Sequence, residues 1–179
     1  LSIGHFSCNY LVVPTESSIR SVAGLIAEAK ANPGKLNFGS SGIGTAAHLA
    51  GEWFKSITGT ELTHVPYKSG PEALNDLVAG RIELDFEPIA TAMPFIRAGK
   101  LRPLAGTCKE RLSALPDVPT LMESGVKDYD LRGWSLFVAP PRLPEAIAKR
   151  WSDALSISLR SPKVREGIEA LNMQPSPST

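Results

Sequence analysis

The chain has 179 residues, 42% of them hydrophobic and 21% charged, with a formal net charge of +1. That composition is globular and excludes whole-chain disorder. Acidic and basic residues are interspersed, so no basic stripe calls for nucleic acid or an anionic membrane surface. No apolar run approaches the ~20 residues that a bilayer-spanning helix needs.

In chain order, the opening LSIGHFSCNYLVV lacks a charged n-region, so no signal peptide is expected in this chain. Within it Asn9–Val13 is a β-branched run stopped by Pro14, a buried strand. Ser17 or Ser18 is expected to cap a helix whose apolar positions Ile19, Val22, Leu25, Ile26 and Ala29 recur at helical spacing. Asn32-Pro33-Gly34 ends it. Leu36–Gly39 then reads as a strand, Thr45–Thr58 as a helix, Leu62–Val65 as a strand and Pro71–Ala79 as a helix. Ile82–Phe86, Pro88–Ala98 and Leu101–Gly106 continue as strand, helix, strand. Such alternation with short connections predicts an α/β domain with a mainly parallel sheet flanked by helices.

After Thr107 the rhythm breaks. A proline-punctuated connector leads to an apolar strand from Trp134 to Ala139, a helix beginning at Pro144 and a short helix near Ser161-Pro162. The tail QPSPST is expected to be mobile. Cys8 and Cys108 have no metal-site spacing and read as two reduced, buried thiols; a bridge between them requires an oxidising compartment.

The chemistry concentrates in LNFGSSGIGTAAHLAGE, Leu36–Glu52. Gly42, Gly44 and Ala47 match the G-x-G-x-x-A turn of dinucleotide-binding folds, between a strand and a helix as that motif requires. The confirming acid at the end of the next strand is missing: Lys68 stands there, and Glu61 lies at the other end. A lysine suits a 2′-phosphate, which leaves an NADP-dependent oxidoreductase as an alternative. A nucleophile elbow would need G-x-S-x-G, and Gly39-Ser40-Ser41-Gly42-Ile43 misses it by one position. What the turn supplies physically is a helix N-terminus with unpaired amides, a positive dipole end and the hydroxyls of Ser40, Ser41 and Thr45. A small anion fits that chemistry, with His48 one turn into the helix.

Two other strand ends point to the same region, because ligands of open α/β sheets lie beyond the carboxyl ends of the strands. One carries Tyr67, Lys68 and Ser69, which alone would read as surface packing and a solvated charge. The other carries Asp85-Phe86-Glu87-Pro88, where Glu87 resembles an ordinary acid at a helix start. Trp134, in the later strand, is the residue type of a core as much as of a ligand-stacking wall.

Several motifs together, PGKLNFGSSGIGTAAHLAGEWFKS, HVPYK, DLVAGRIEL, AGKLRPLAGT, ALPDVPTLMESG and GWSLFVAPP, resemble the Bug or TctC-like family of extracytoplasmic solute receptors. The resemblance runs from about Leu11 to Ala170. It implies a type II periplasmic-binding-protein clamshell of two α/β lobes closing on small carboxylates, without catalysis, metal or cofactor. It also implies an extracytoplasmic, periplasmic location and delivery of a di- or tricarboxylate, amino acid or aromatic acid to membrane transporter subunits.

Under that resemblance the ligand would be held by Ser40, Ser41, Gly42, Gly44, Thr45 and His48, with Tyr67, Lys68, Ser69, Glu87 and Trp134 around it. Residues 1–13 would be a crossover strand from a missing first lobe, 14–130 a second lobe with half of the cleft, and 131–179 a return segment of the first lobe. The chain would then be a truncated member, with a homodimer or swapped assembly covering the exposed surface, or a remnant that binds another protein. Two departures from the family pattern stand out: Lys68 is followed by Ser69 before Gly70, and Phe86-Glu87-Pro88 replaces the usual Phe-Asp-Asn. Selectivity therefore does not carry over from relatives.

Overall fold

A computed structural model describes residues 2–176. The chain forms two compact units: a central one, Cys8–Arg132, and a terminal one made of the residues before Cys8 and from Gly133 onward.

The first strand, β1 (Ser2–Pro14), is longer than its apolar run predicts. In the central unit it joins β2 (Asn37–Ser40), β3 (Thr63–Pro66), β4 (Leu84–Pro88) and β5 (Leu101–Gly106) in the order β3-β2-β4-β1-β5. β2 pairs parallel with β3 and β4, whereas β1 pairs antiparallel with β4 and β5. The mainly parallel sheet expected from the alternating elements is present, with β1 inserted against its direction.

Being internal, β1 is buried on both faces, which is why NYLVV shows no polar alternation. Leu11 and Val13 enter one core with Leu25, Phe38, Phe54 and Phe86, beneath α1 (Val22–Ala31) and α2 (Ala46–Thr58). Cys8, Tyr10 and Val12 enter the other with Leu74, Ile82 and Ile89, beneath α3 (Gly70–Val78) and α4 (Ile89–Arg97).

Two local expectations need correction. The cap of α1 is Ser21, whose hydroxyl accepts the Gly24 amide, not Ser17 or Ser18. The Arg102 guanidinium binds the carbonyls of Thr15, Ser17 and Ile19, which consumes the acceptors of that segment and delays the helix. The cysteines are likewise not two free thiols: Cys8 and Cys108 form a disulfide. The β1–β5 register brings them together, with Tyr10 opposite Gly106 and the Asn9 amide on the Thr107 hydroxyl.

In the terminal unit, β6 (Arg132–Phe137) and the two-residue β7 (Gln174–Pro175) pair with β1. Helices α5 (Glu145–Arg160) and α6 (Pro162–Ala170) follow the predicted spans closely. The first residues of QPSPST are thus paired, His5 opposite Pro175, rather than loose; 177–179 lie outside the described residues. Trp134, Val138, Trp151 and Ile157 are exposed, so Trp134 is not a core residue of this unit.

Candidate functional site

The site begins where β2 runs out of hydrogen-bonding partners. Ser40, its last residue, is fully buried, and its hydroxyl accepts the Gly42 amide at 3.1 Å and meets His64 Nε2 at 2.6 Å. Gly42 and Gly44 have φ of +119° and +82°. These left-handed conformations disfavour side chains and reverse the chain sharply.

Thr45 then caps α2. Its hydroxyl donates to the Gly42 carbonyl at 2.7 Å and accepts the His48 amide at 3.5 Å. His48 folds back so that Nδ1 accepts the Gly44 amide at 3.1 Å, which places its proton on Nε2. Among the described residues no acceptor takes the amides of Ser41, Ile43, Ala46 or Ala47. The turn thus presents unpaired N–H groups at the positive end of a 13-residue helix.

Two imidazoles stand behind this turn. His64, on β3, lies with its ring 4.2 Å from that of His48 and 4.8 Å from Phe38. Burial holds the His64 pKa below its ordinary value, assisted by His48 and Lys55 and opposed by Glu52. A neutral His64 is the form that can accept the Ser40 proton.

The β3–α3 turn abuts the same loop, with the Tyr67 amide on the Ser40 carbonyl at 2.9 Å. Tyr67 is half-buried, and its hydroxyl donates to Asp76 Oδ2 at 3.0 Å. Desolvation and that bond push the phenol to about 12. Asp76 is itself paired with Arg81 at 2.6 Å, and the two together hold it below the usual carboxylate range. Lys68 is exposed, its amide on Glu72, while Ser69 opens α3 without a side-chain cap bond.

Glu87 is not an exposed acid at a helix start. It is 2% exposed, lies on β4, and its carboxyl fills the space over Gly70, where a Cβ would come within 2.1 Å of Oε1. Desolvation pushes it up to about 7, opposed by the Thr91 hydroxyl.

Ser40, Ser41, Gly42, Gly44, Thr45, His48, Tyr67, Lys68 and Ser69 are therefore brought to one end of the sheet, with Glu87 buried behind them. Ser40 is spent on internal bonds. Trp134 belongs to the terminal unit. Sequence reasoning missed His64, whose place beside Ser40 follows from the parallel pairing of β2 and β3, and passed over Asp85 as a binding candidate.

The model of the Tripartite tricarboxylate transporter family receptor matches residues 5–178. A Pseudomonas sp. (strain P51) relative, the UPF0065 protein in the tcbD-tcbE intergenic region, is 34% identical over 165 residues, which are 92% of this chain and 49% of the relative. The chain thus spans about half the length of the curated relatives it matches. The structure of R. palustris Rpa4515 with adipate superposes with a TM-score of 0.92 at 32% identity, over 99% of this chain and 59% of that one. The periplasmic binding protein BugD superposes at 0.89 and 26% identity, over 97% and 58%. This chain belongs to the Tripartite tricarboxylate transporter receptor family.

Proposed function

We propose that the central unit holds a carboxylate of a small organic acid at the β2–α2 turn, as one half of an extracytoplasmic solute receptor that serves a membrane transporter. The observation that carries this reading is the set of unpaired amides at Ser41, Ile43, Ala46 and Ala47, at the start of α2, beside the Ser41 and Thr45 hydroxyls. Carboxylate oxygens accept from such amides, and the helix dipole favours their charge. The adipate in the related R. palustris structure is a ligand of this class. Tyr67, Lys68 and Ser69 border the turn. The Cys8–Cys108 disulfide suits an oxidising, periplasmic location. Nothing in this reading requires catalysis, a metal or a cofactor, and family membership gives the NADP-dependent alternative no support.

The terminal unit belongs, in this reading, to the first lobe, whose remaining part the longer relatives carry. One lobe offers half of a two-sided site, so this chain alone binds a diacid with a Kd near ~1 mM, about −4 kcal/mol. Isothermal titration with adipate, malate and the uncharged adipamide tests this. Weak binding of the acids and none of the amide is expected; equal binding of adipamide, or quenching by NADPH in place of the acids, rejects the carboxylate site.

Exposed apolar side chains favour a second statement. Trp134, Leu136, Val138 and Trp151 are too many for a free surface of one small unit. In isolation a second copy of the chain covers them. Light scattering is expected to find a dimer; a monodisperse monomer at high concentration counts against it.

A further inference from the structure

Asp85 and Glu87 are two residues apart on β4 and so share one face of the sheet. Opposite them on β1 stand Val12 and Tyr10, and above them lies α3. Asp85 is fully buried and Glu87 is 2% exposed. Neither oxygen of Asp85, nor Oε2 of Glu87, has a hydrogen-bond partner among the described residues.

Space has been made for both groups. A Cβ on Gly39 would approach Asp85 Oδ2 to 2.8 Å, and one on Gly70 would approach Glu87 Oε1 to 2.1 Å. These carboxyls are seated by close backbone approach rather than by counter-charges. The titratable and polar groups facing them are Tyr10 from β1, Tyr67 from the β3–α3 turn and Thr91 from α4; none is a cation. The Phe86 amide gives Asp85 only weak electrostatic support.

Two carboxylates cannot both stay ionised in such a place, because each loses its hydration and each repels the other. Glu87 has the better claim to a charge, with Thr91 on one side and the N-terminus of α3 on the other. We propose that Asp85 and Glu87 keep one proton between them in the folded central unit at neutral pH, seated on Asp85, and that it acts as a pH sensor beneath the turn of Tyr67, Lys68 and Ser69.

Burial, with repulsion from Glu87, pushes Asp85 well above the ordinary carboxylate range, and Glu87 is raised to about 7. The folded state therefore binds more protons than the unfolded chain, so stability falls as pH rises from the ordinary carboxylate range through about 7. The charge that then appears on Asp85 lies against Gly39 and repels Glu87, whose carboxyl packs on Gly70, the first residue of α3, so the turn loosens first. This device is independent of whether the β2–α2 turn takes a carboxylate.

The test is urea unfolding of the full chain between about pH 5 and pH 9, for the wild type and D85N. Each retained proton changes the folded-to-unfolded ratio about tenfold per pH unit in the sensitive range. The wild type is expected to lose stability with rising pH and D85N, which keeps only the raised Glu87, to lose less. In infrared spectra the wild type at pH 7 is expected to show a protonated carboxyl C=O band that is much weaker in D85N. Hydrogen-exchange protection of the 67–70 amides is expected to fall above pH 7 in the wild type more than in D85N. A wild type without the band at pH 7 overturns the proposal even if D85N does not fold. Parallel pH profiles overturn it, as does protection at 67–70 that is unchanged by D85N. Restoration of wild-type stability at pH 8 by calcium or magnesium would make the pair a cation site and overturn it too.

Discussion

The Ser40 hydroxyl lies 2.6 Å from Nε2 of His64, across the parallel pairing of β2 and β3. It also accepts the Gly42 amide, so one oxygen ties the next strand to the start of the candidate site. S40A leaves a half-buried imidazole nitrogen and an amide unpaired together. A loss of about 1–3 kcal/mol is expected, read from denaturant midpoints, with S40T less damaging than S40A. Equal stability of S40A and wild type would remove the hydroxyl from any structural role.

His64 gives a pH effect of the opposite sign to that of the β4 acids. Its folded pKa lies below its ordinary value of 6.5. The stability it contributes is full above that value and is lost as pH falls through the folded pKa, because the unfolded chain then binds more protons. H64Q should therefore lose less stability than the wild type on acidification through this range. A wild-type profile parallel to that of H64Q would contradict the assignment.

The disulfide joins residues 100 positions apart. Closing so long a loop restricts the unfolded chain strongly, and replacing both cysteines by serine is expected to cost about 4 kcal/mol. A thermal melt of C8S/C108S beside the reduced wild type checks this. Both should fall well below the oxidised protein.

Gly70 and Glu87 predict a non-additive pair. G70A puts a methyl group where the Glu87 carboxyl lies, an overpacking that costs about 1–3 kcal/mol. E87S removes most of the obstruction, so G70A should cost much less in an E87S background. Additive effects in urea unfolding would show that the carboxyl moves away freely.

Much of the fold was legible because its signals were local. Proline and glycine stops placed α2, α3 and α4 within a residue or two, and the alternation of elements gave the sheet class. The turn of the candidate site could be read from glycines and hydroxyls alone, since its geometry is set by backbone conformation at Gly42 and Gly44. What escaped depended on partners distant in sequence. The start of α1 is delayed by Arg102, some eighty residues on, and the cysteines meet only through the β1–β5 register. Glu87 looked like a surface acid because the space over Gly70 that receives it belongs to another helix. Asp85 stood in the sequence only as part of the Asp85-Phe86-Glu87-Pro88 strand end, with nothing nearby to mark it as buried.

The placement of β1 also governs the order of assembly. Its Asn9–Val12 segment pairs with Asp85–Pro88, and Val13 with Arg102. During synthesis this most apolar stretch must wait for nearly a hundred further residues before its ladders can close. Long-range pairing of that kind raises contact order and slows folding. The central unit is therefore expected to fold only after β5 has emerged, with β2, β3 and their helices waiting as an incomplete sheet whose middle position is still empty.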